Sequence, residues 1–221
     1  MLAKILSFFI PINVTKKKSA ISKSIEVTWN NGQLVLDSKN TNYSYGSLQR
    51  ILRKGLKYIG FERIKSFENI LILGVAGGSV IKTLVDEIKF KGKITGVELD
   101  AEIIKIANSF FKLNEIQNLE IIIDDAFEYV LKIKVKYDLI VIDIFQDTIM
   151  PNFLFEDFFI NRINFLLNIN GFILFNTMVI NEKEQIRNID YKKKFDKNYS
   201  VRMYPKVEDH NELFTIKKLA L

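Results

Sequence analysis

Short hydrophobic runs alternate with helical patterns over the larger part of the chain. Apolar runs of strand length follow one another from residue 69 onward, at residues 70–73, 94–98, 119–123, 139–143 and 172–176. Segments with helical spacing lie between them, at residues 78–89, 101–113, 125–133 and 153–168. Continuous Ile, Leu and Val runs are typical of strands buried on both faces, and strand–helix alternation gives right-handed crossovers. The pattern predicts an α/β fold with a doubly wound, mostly parallel sheet.

Each end of the chain carries a predicted hairpin instead. Residues 24–29 and 33–37 flank an Asn31-Gly32 pair, and Asn-Gly is a strong signal for a tight hairpin turn. Near the C-terminus, the extended runs at residues 199–204 and 212–216 are joined by a loop too short for a crossover helix. We expect them to form an antiparallel hairpin at the edge of the sheet.

The first residues of the chain have helical spacing, since Leu2, Ile5, Leu6 and Phe9 fall at i, i+3, i+4 and i+7. This predicts a short amphipathic helix that docks on this or another subunit, and hence a homodimer formed through the N-terminal region. A signal peptide is the weaker interpretation, because no small-residue cleavage site follows and residues 16–18 are all lysine. We therefore expect a cytoplasmic protein.

The length of 221 residues suits one main domain with an appendage. We place an N-terminal helix and hairpin region at residues 1–43 and the main domain at residues 44–221. The second region opens with a predicted helix between an N-cap at Ser44 and a C-cap at Gly60. Hydrophobic residues make up 48% and charged residues 26% of the chain, which is a globular composition.

Composition also excludes several kinds of chemistry. The chain has no cysteine, which excludes disulfides, thiolate catalysis and Cys-ligated metal sites. Its only histidine is His210, which excludes a two-histidine metalloprotease, and we expect no metal. The net charge of +6 is a mild basic excess, so nucleic acid is not the expected partner. Every long apolar stretch is interrupted by charged or polar residues, so no membrane span is expected.

The first strand of the predicted sheet ends in a small-residue turn, Gly74-Val-Ala-Gly-Gly-Ser79, that leads into a helix. Such a turn lets the backbone approach a ligand, and the helix N-terminus offers free N–H groups. Glu98 ends the next strand, where an acid can accept hydrogen bonds from both ribose hydroxyls of a nucleoside. The alternative is that the glycines only pack the helix on the strand and that Glu98 is a solvated strand end.

The type of nucleoside follows in part by exclusion. No tyrosine is followed four positions later by lysine, as a short-chain dehydrogenase requires, and no Gly-Lys-Ser/Thr P-loop is present. S-adenosylmethionine is the best remaining candidate.

The motifs at residues 70–79, 96–100, 123–126 and 137–143 resemble those of class I S-adenosylmethionine-dependent methyltransferases. They are most similar to the spermidine synthase (polyamine aminopropyltransferase) branch, as are Leu34-Val-Leu-Asp37 and Tyr43-Ser-Tyr45. The resemblance implies a Rossmann-like fold with a seven-stranded sheet, the C-terminal antiparallel hairpin and a small β-hairpin region in front. It also implies S-adenosylmethionine or its decarboxylated form as cosubstrate.

Site residues are carried over from this resemblance by position. The catalytic residue is Asp143, with Tyr45 and Asp147 on the acceptor side. The implied cofactor-binding residues are Gly74, Ala76, Gly77, Gly78, Glu98, Asp125 and Ala126. Displacement at a carbon next to a sulfonium needs an aligned nucleophile and a carboxylate to orient or deprotonate it, which suits Asp143. The alternative for Asp143 is a capping aspartate at a strand end.

Some positions depart from the spermidine synthase pattern. Gly77 stands where that family carries an aspartate that grips the donor's aminopropyl amine, and Gly46 replaces a glutamine. The second acceptor-side aspartate is displaced to Asp147. Without a carboxylate to bind that amine, we expect a slight preference for methyl transfer over aminopropyl transfer. The expected acceptor is a small amine or hydroxyl compound. An RNA methyltransferase and a non-catalytic nucleoside-binding relative stay open as alternatives.

Overall fold

The computed structural model describes residues 2–19, 21–38, 42–146, 149–208 and 210–220. Its strands form a small and a large sheet. The small sheet is antiparallel with the order β1-β2-β3-β4, and its strands are Ile12–Lys17, Ile25–Asn30, Gln33–Asp37 and Asn42–Ser44. Positive φ angles at Asn31 (49°) and Gly32 (75°) close the predicted hairpin between β2 and β3.

The large sheet has seven strands in the order β10-β11-β9-β8-β5-β6-β7. In chain order these are β5 Asn69–Leu73, β6 Lys93–Glu98, β7 Leu119–Ile123, β8 Tyr137–Ile142, β9 Leu167–Met178, β10 Tyr199–Tyr204 and β11 Asn211–Lys218. The strands from β5 to β9 pair in parallel, whereas β11 pairs antiparallel with both β9 and β10. This confirms the predicted fold class and the C-terminal hairpin.

Helices cover both faces of the large sheet. The α-helices are α1 Leu2–Leu6, α2 Gly46–Ile59, α3 Phe61–Lys65, α4 Ser79–Lys82, α5 Ala101–Phe111, α6 Ala126–Lys132, α7 Asp157–Leu166 and α8 Glu182–Lys193. A π-helical turn, Thr83–Glu87, continues α4, and 3₁₀ turns lie at Leu113–Glu115 and Asn152–Phe155. No helix in these described segments is long and apolar enough to cross a membrane.

Alternate residues of β5 divide the core into two layers. Ile70 and Ile72 pack on the side of α2 and α4, and Leu71 and Leu73 pack on the side of α6, α7 and α8. All four side chains are fully buried, as expected for a central parallel strand covered by helices on both faces. The small sheet joins this body through a third cluster, in which Ile25, Val27 and Leu36 contact α5.

Three local predictions need correction. Ser44 does not cap α2: it ends β4, Tyr45 holds the N-cap position, and the Ser44 hydroxyl accepts a hydrogen bond from the Ser79 N–H at the start of α4. The predicted helix at residues 153–168 is a 3₁₀ turn followed by α7, and β9 begins directly afterwards at Leu167. The N-terminal helix is only one turn long and ends before Phe9.

The sequence pattern does not predict helix α8. The helix is strongly polar, with Asn188 and Tyr191 as its buried residues, so it lacks the apolar stripe that marks a helix in sequence. Its start nevertheless carries a signal, because Asn181 and Glu184 form a capping box.

Candidate active site

The candidate site lies at the carboxyl ends of β5 and β8, where the order of the sheet reverses. Successive connections from β5 lead outward to β6 and β7, and the chain then returns to place β8 on the other side of β5. Ligands of open α/β sheets bind in the crevice at this kind of switch point. A cavity of about 870 Å³ occupies it here, and this volume is in the range of ligand-binding pockets.

The glycine turn after β5 forms one wall of the cavity. Gly74 and Ala76 line it. Gly74 has a φ of +88°, and a Cβ atom there would lie 2.2 Å from the backbone oxygen of Asp143. Only glycine satisfies both constraints, so the β5 and β8 strand ends approach each other closely because residue 74 has no side chain.

Gly77 and Gly78 are not among the residues that line the cavity, and their assignment as cofactor-binding residues stays a prediction. Both are buried behind the turn. A Cβ on Gly77 would lie 2.8 Å from the Ser44 Cβ, and one on Gly78 would lie 2.5 Å from a Leu113 methyl carbon. The structure therefore gives these two glycines a role in packing the start of α4 against its neighbours.

Glu98, at the end of β6, lines the cavity and also holds the glycine turn. Its Oε2 accepts hydrogen bonds from the N–H groups of Val75 (3.1 Å) and Ala76 (3.0 Å), and its Oε1 accepts one from Asp100 N–H (3.1 Å). Burial raises the pKa of Glu98 despite these three donors, which act in the opposite direction. Glu98 is thus placed to contact a ligand and to fix the wall that the ligand meets.

Asp125 and Ala126 line the cavity at the carboxyl end of β7. Asp125 caps α6, because its Oδ1 accepts hydrogen bonds from the N–H groups of Phe127 (2.7 Å) and Glu128 (3.3 Å). The neighbouring Asp124, which the sequence did not single out, also lines the cavity.

Asp143 follows β8 and lines the cavity. Its Oδ1 accepts a hydrogen bond of 2.9 Å from Asn176 Nδ2. Burial, with a smaller contribution from the charge of Glu98, raises the pKa of Asp143 to about 7. A carboxylate with this pKa can take up a proton near neutral pH.

The residues assigned to the acceptor side are not seen to line the cavity. Tyr45 is absent from the cavity lining; its ring stacks on Phe111 with the ring centroids 4.4 Å apart, and burial raises the pKa of its hydroxyl. Tyr43, two residues earlier, lines the cavity instead. Asp147 lies outside the described residues.

The segment before β2 contributes a wall that the sequence did not reveal. Ser22, Lys23 and Ser24 line the cavity. The hydroxyls of Ser19 and Ser22 both donate to Oδ2 of Asp100, the N-cap of α5. Serines in a polar loop carry no pattern that predicts a long-range contact, so only the folded chain shows this connection.

The cavity is acidic although the chain as a whole is basic. The described residues that line it include the carboxylates of Glu98, Asp100, Asp124, Asp125 and Asp143 and a single lysine, Lys23. No cluster of three or more His, Asp or Glu in the described segments is arranged to hold a metal ion. The cavity is therefore suited to a cationic ligand.

Comparison with known families gives this site a context. The family model described as "Spermine/spermidine synthase domain" matches residues 49–217. The chain belongs to the spermine/spermidine synthase family. This confirms the resemblance found in the sequence motifs.

Curated relatives carry the name polyamine aminopropyltransferase. The Vibrio vulnificus (strain CMCP6) protein is 27% identical over 139 residues, which is 62% of this chain and 46% of the relative. A relative from Prochlorococcus marinus (strain AS9601) is 36% identical over 111 residues, covering 48% of this chain and 39% of the relative. The matches thus cover less than half the length of these relatives.

Solved structures share the fold. A spermidine synthase bound to the transition-state analogue AdoDATO has a TM-score of 0.73 and 18% identity over 95% of this chain and 74% of that chain. The Thermotoga maritima spermidine synthase has a TM-score of 0.70 and 17% identity over 95% and 73%. Human methyltransferase-like protein 13 in complex with SAH has a TM-score of 0.65 and 18% identity over 79% and 83%. The chain therefore shares its fold with these spermidine synthases and with this methyltransferase-like protein.

Proposed function

We propose that the protein is an aminopropyltransferase that uses decarboxylated S-adenosylmethionine and a small amine. The acidic lining of the cavity carries this proposal. Decarboxylated donor bears a sulfonium and an ammonium group but no carboxylate, so the carboxylates around the cavity favour it over S-adenosylmethionine. The names of the curated relatives support the same reaction.

This proposal replaces the slight preference for methyl transfer that the missing aspartate at Gly77 suggested. Gly77 is buried behind the turn and faces Ser44, so its lack of charge says little about the cavity itself. Attraction of a cation by the field of several cavity carboxylates does not need that position.

The transfer is a displacement at carbon. The nitrogen lone pair of the acceptor forms a C–N bond to the carbon next to sulfur, the C–S bond breaks, and its electrons remain on sulfur, leaving methylthioadenosine. The acceptor must be a neutral amine to attack, and the product nitrogen must lose a proton. Asp143, with a pKa of about 7, is the group proposed to orient the acceptor and to take that proton.

Glu98, Asp125 and Ala126 are proposed to bind the adenosine part of the donor, and Gly74 and Ala76 to bind its sulfur end. All five line the cavity. The acceptor is proposed to enter beside Tyr43 rather than Tyr45. Asp147 stays a prediction for the acceptor side, and so does the cytoplasmic location.

RNA methyl transfer is disfavoured as an alternative. The net charge of +6 is a property of the whole chain, whereas the cavity has a strong excess of carboxylates. A polyanion would be repelled there. The other alternative, a non-catalytic protein that binds the nucleoside, predicts donor binding without product formation, and an activity assay distinguishes the two.

The test is an assay of the purified chain with each sulfonium donor and putrescine. We expect methylthioadenosine and spermidine from the decarboxylated donor, and no methylated amine from S-adenosylmethionine. Asp143→Asn should lower kcat by about 10²- to 10⁴-fold, whereas Asp190→Asn, which changes an exposed carboxylate in α8, should leave the rate unchanged. Methylated product, or donor binding without any turnover, would overturn the proposal.

A further inference from the structure

A chain of two side-chain amides leads from the end of β11 to Asp143. Asn176 Nδ2 donates to Asp143 Oδ1 at 2.9 Å, and Asn211 Nδ2 donates to Asn176 Oδ1 at 3.0 Å. Asn176 is fully buried, while Asn211 is half-buried and lines the cavity. A buried polar side chain requires hydrogen-bond partners, and here both partners belong to one connected series.

The strands fix the positions of the amides. Asn176 lies in β9 and pairs with Leu213 of β11, and Asn211 begins β11 and pairs with Met178 of β9. Both residues are therefore held by the same antiparallel ladder. Asp143 is tied to the neighbouring part of the sheet, because its N–H donates to the Leu73 oxygen at 2.9 Å.

The chemistry of the groups sets the direction of the series. An ionised carboxylate only accepts hydrogen bonds, so Asn176 must turn its NH₂ group toward Asp143. Its oxygen then faces Asn211, which must present a donor. A protonated Asp143 keeps an oxygen that can accept from Asn176, but the hydrogen bond is stronger to the ionised carboxylate and therefore favours it.

We propose that Asn211 and Asn176 form a relay that orients the amide facing Asp143 and thereby holds its carboxylate in the ionised, proton-accepting form. Both asparagines are positioning residues that act through Asp143. The activity part of this inference rests on the proposed function, whereas the effect on the ionisation of Asp143 does not.

Other charged groups act on Asp143 at the same time. Glu98, at the end of β6, opposes ionisation, as does burial, and the Asn176 hydrogen bond is the contact that favours it. Asp100, Asp124 and Asp125 line the cavity from the α5 and β7 side, Lys23 lines it from the segment before β2, and His210 lines it beside Asn211. The relay is uncharged, so replacing its asparagines with leucine removes it without changing the net charge of the protein.

The direct test is to follow the ¹³C resonance of the Asp143 carboxyl with pH, assigned by its loss in Asp143→Asn. We expect Asn176→Leu, which keeps the size of the side chain, to raise the pKa of Asp143 by about one unit. Asn211→Leu should raise it by a smaller amount. If the pKa of Asp143 is unchanged in Asn176→Leu, the proposal is overturned. If it is unchanged in Asn211→Leu, Asn211 is not part of the relay.

The chain offers a matched control. Asn168 Nδ2 donates to Asp138 Oδ1 at 2.7 Å, also between β9 and β8 but at the opposite end of these strands. Asn168→Leu removes the same type of hydrogen bond and should leave the titration of Asp143 unchanged. An equal shift in this variant would show a general effect on the sheet and would overturn the relay.

Asn211→Asp reverses the outer hydrogen bond of the relay and also adds a negative charge, and a second background separates the two effects. In Asn211→Asp the new side chain is an acceptor, so Asn176 must turn its NH₂ toward it and its oxygen toward Asp143. The pKa of Asp143 should rise more than in Asn211→Leu. In an Asn176→Leu background Asn211→Asp can act only through space, so its effect should fall to less than about half. Equal effects in both backgrounds would overturn the relay.

The kinetic test uses the transfer reaction. If the relay serves Asp143, the Asn176→Leu and Asn211→Leu variants should shift the acidic limb of the kcat profile upward in pH and regain rate at higher pH, with little change in the KM for donor. An unchanged profile despite shifted ¹³C titrations would overturn the catalytic part. Shifted titrations in a protein without any transferase activity would instead refute the proposed function and leave the relay intact.

Discussion

Glu98 binds the backbone of Ala76: its Oε2 accepts the Ala76 N–H at 3.0 Å and the Val75 N–H at 3.1 Å. A family position that the sequence suggests as a ligand contact is thus also a structural support of the glycine turn. Loss of the carboxylate would leave two backbone donors of the turn without this partner. Such donors are costly when buried, since each loses its hydrogen bonds to water on folding.

We therefore expect Glu98→Ala to lower both donor affinity and stability. The loss of charge-assisted hydrogen bonds to the ligand should weaken methylthioadenosine binding by about 1.5 to 3 kcal/mol. In the absence of ligand, the free energy of unfolding measured in urea should be lower than that of wild type by about 1 to 3 kcal/mol. Calorimetric titration and urea melts measure the two effects. Equal affinities of variant and wild type would remove Glu98 from the binding site.

Gly74 gives a prediction about the contact between β5 and β8. Gly74→Ala places a Cβ atom 2.2 Å from the Asp143 backbone oxygen at a φ of +88°. Gly60→Ala is the control, because its φ is also positive (+107°) but the nearest atom to its Cβ lies 4.0 Å away. We expect Gly60→Ala to lower the free energy of unfolding by about 1 to 3 kcal/mol through backbone strain alone. Gly74→Ala should lower it clearly more, because its Cβ atom also collides with the Asp143 backbone. Similar urea midpoints would show that the strands can separate without penalty.

The raised pKa of Asp143 predicts how stability depends on pH. Burial raises this pKa from 3.8 to about 7, so between these values the folded state binds more protons than the unfolded state. The free energy of unfolding therefore falls as pH rises through this window. Asp143→Asn removes the effect and keeps an oxygen that can accept from Asn176. We expect the variant to be more stable than wild type by on the order of 2 to 4 kcal/mol at about pH 8.

The same comparison at lower pH is the control. At about pH 4, Asp143 is protonated in the folded state and partly protonated in the unfolded state, so most of the difference in urea midpoint between the two proteins should be gone. A stability difference that does not change with pH would mean that Asp143 is ionised at all these values.

The sequence predicts those parts of the fold and site that depend on local pattern. The buried strands, the Asn31-Gly32 turn and the place of Asp143 at a strand end follow from apolar runs and glycines. The partners of Asp143 do not, because Asn176 and Asn211 are 33 and 68 positions later and meet it only through the pairing of β9 with β8 and β11. Ser44 fails as a cap prediction for a related reason: its hydroxyl serves a helix 35 residues further on.

The N-terminal surface carries the prediction of a homodimer. Leu2 and Phe9 are 72% and 83% exposed, and Phe8 and Ile10 lie beside them with more than half of their surface exposed. An apolar patch of this kind commonly marks a protein interface. We expect a dimer by light scattering that dissociates in a Leu2→Ser/Phe9→Ser variant but not in Ile169→Ser, which changes an exposed side chain in β9. A monomer at every concentration would contradict the prediction.

Donor preference can be tested at Gly77, where the resemblance to spermidine synthases implies an aspartate. A Cβ at this position would lie 2.8 Å from the Ser44 Cβ, 3.0 Å from its Oγ and 3.2 Å from the Tyr45 ring. Gly77→Asp alone should therefore lower the unfolding temperature without improving binding of the decarboxylated donor. Ser44→Gly removes the nearest atoms, although it also removes the acceptor for the Ser79 N–H.

In the Ser44→Gly background we expect Gly77→Asp to leave the ratio of the affinities for the decarboxylated donor and S-adenosylmethionine unchanged, because residue 77 does not line the cavity and its side chain would face residue 44. Gly77→Asn in the same background is the control, since it adds the same volume without the charge. Calorimetric titration of both donors gives the ratio of affinities. A change in this ratio with Gly77→Asp that Gly77→Asn does not produce would contradict the prediction, because it would show that a charge at residue 77 selects the donor.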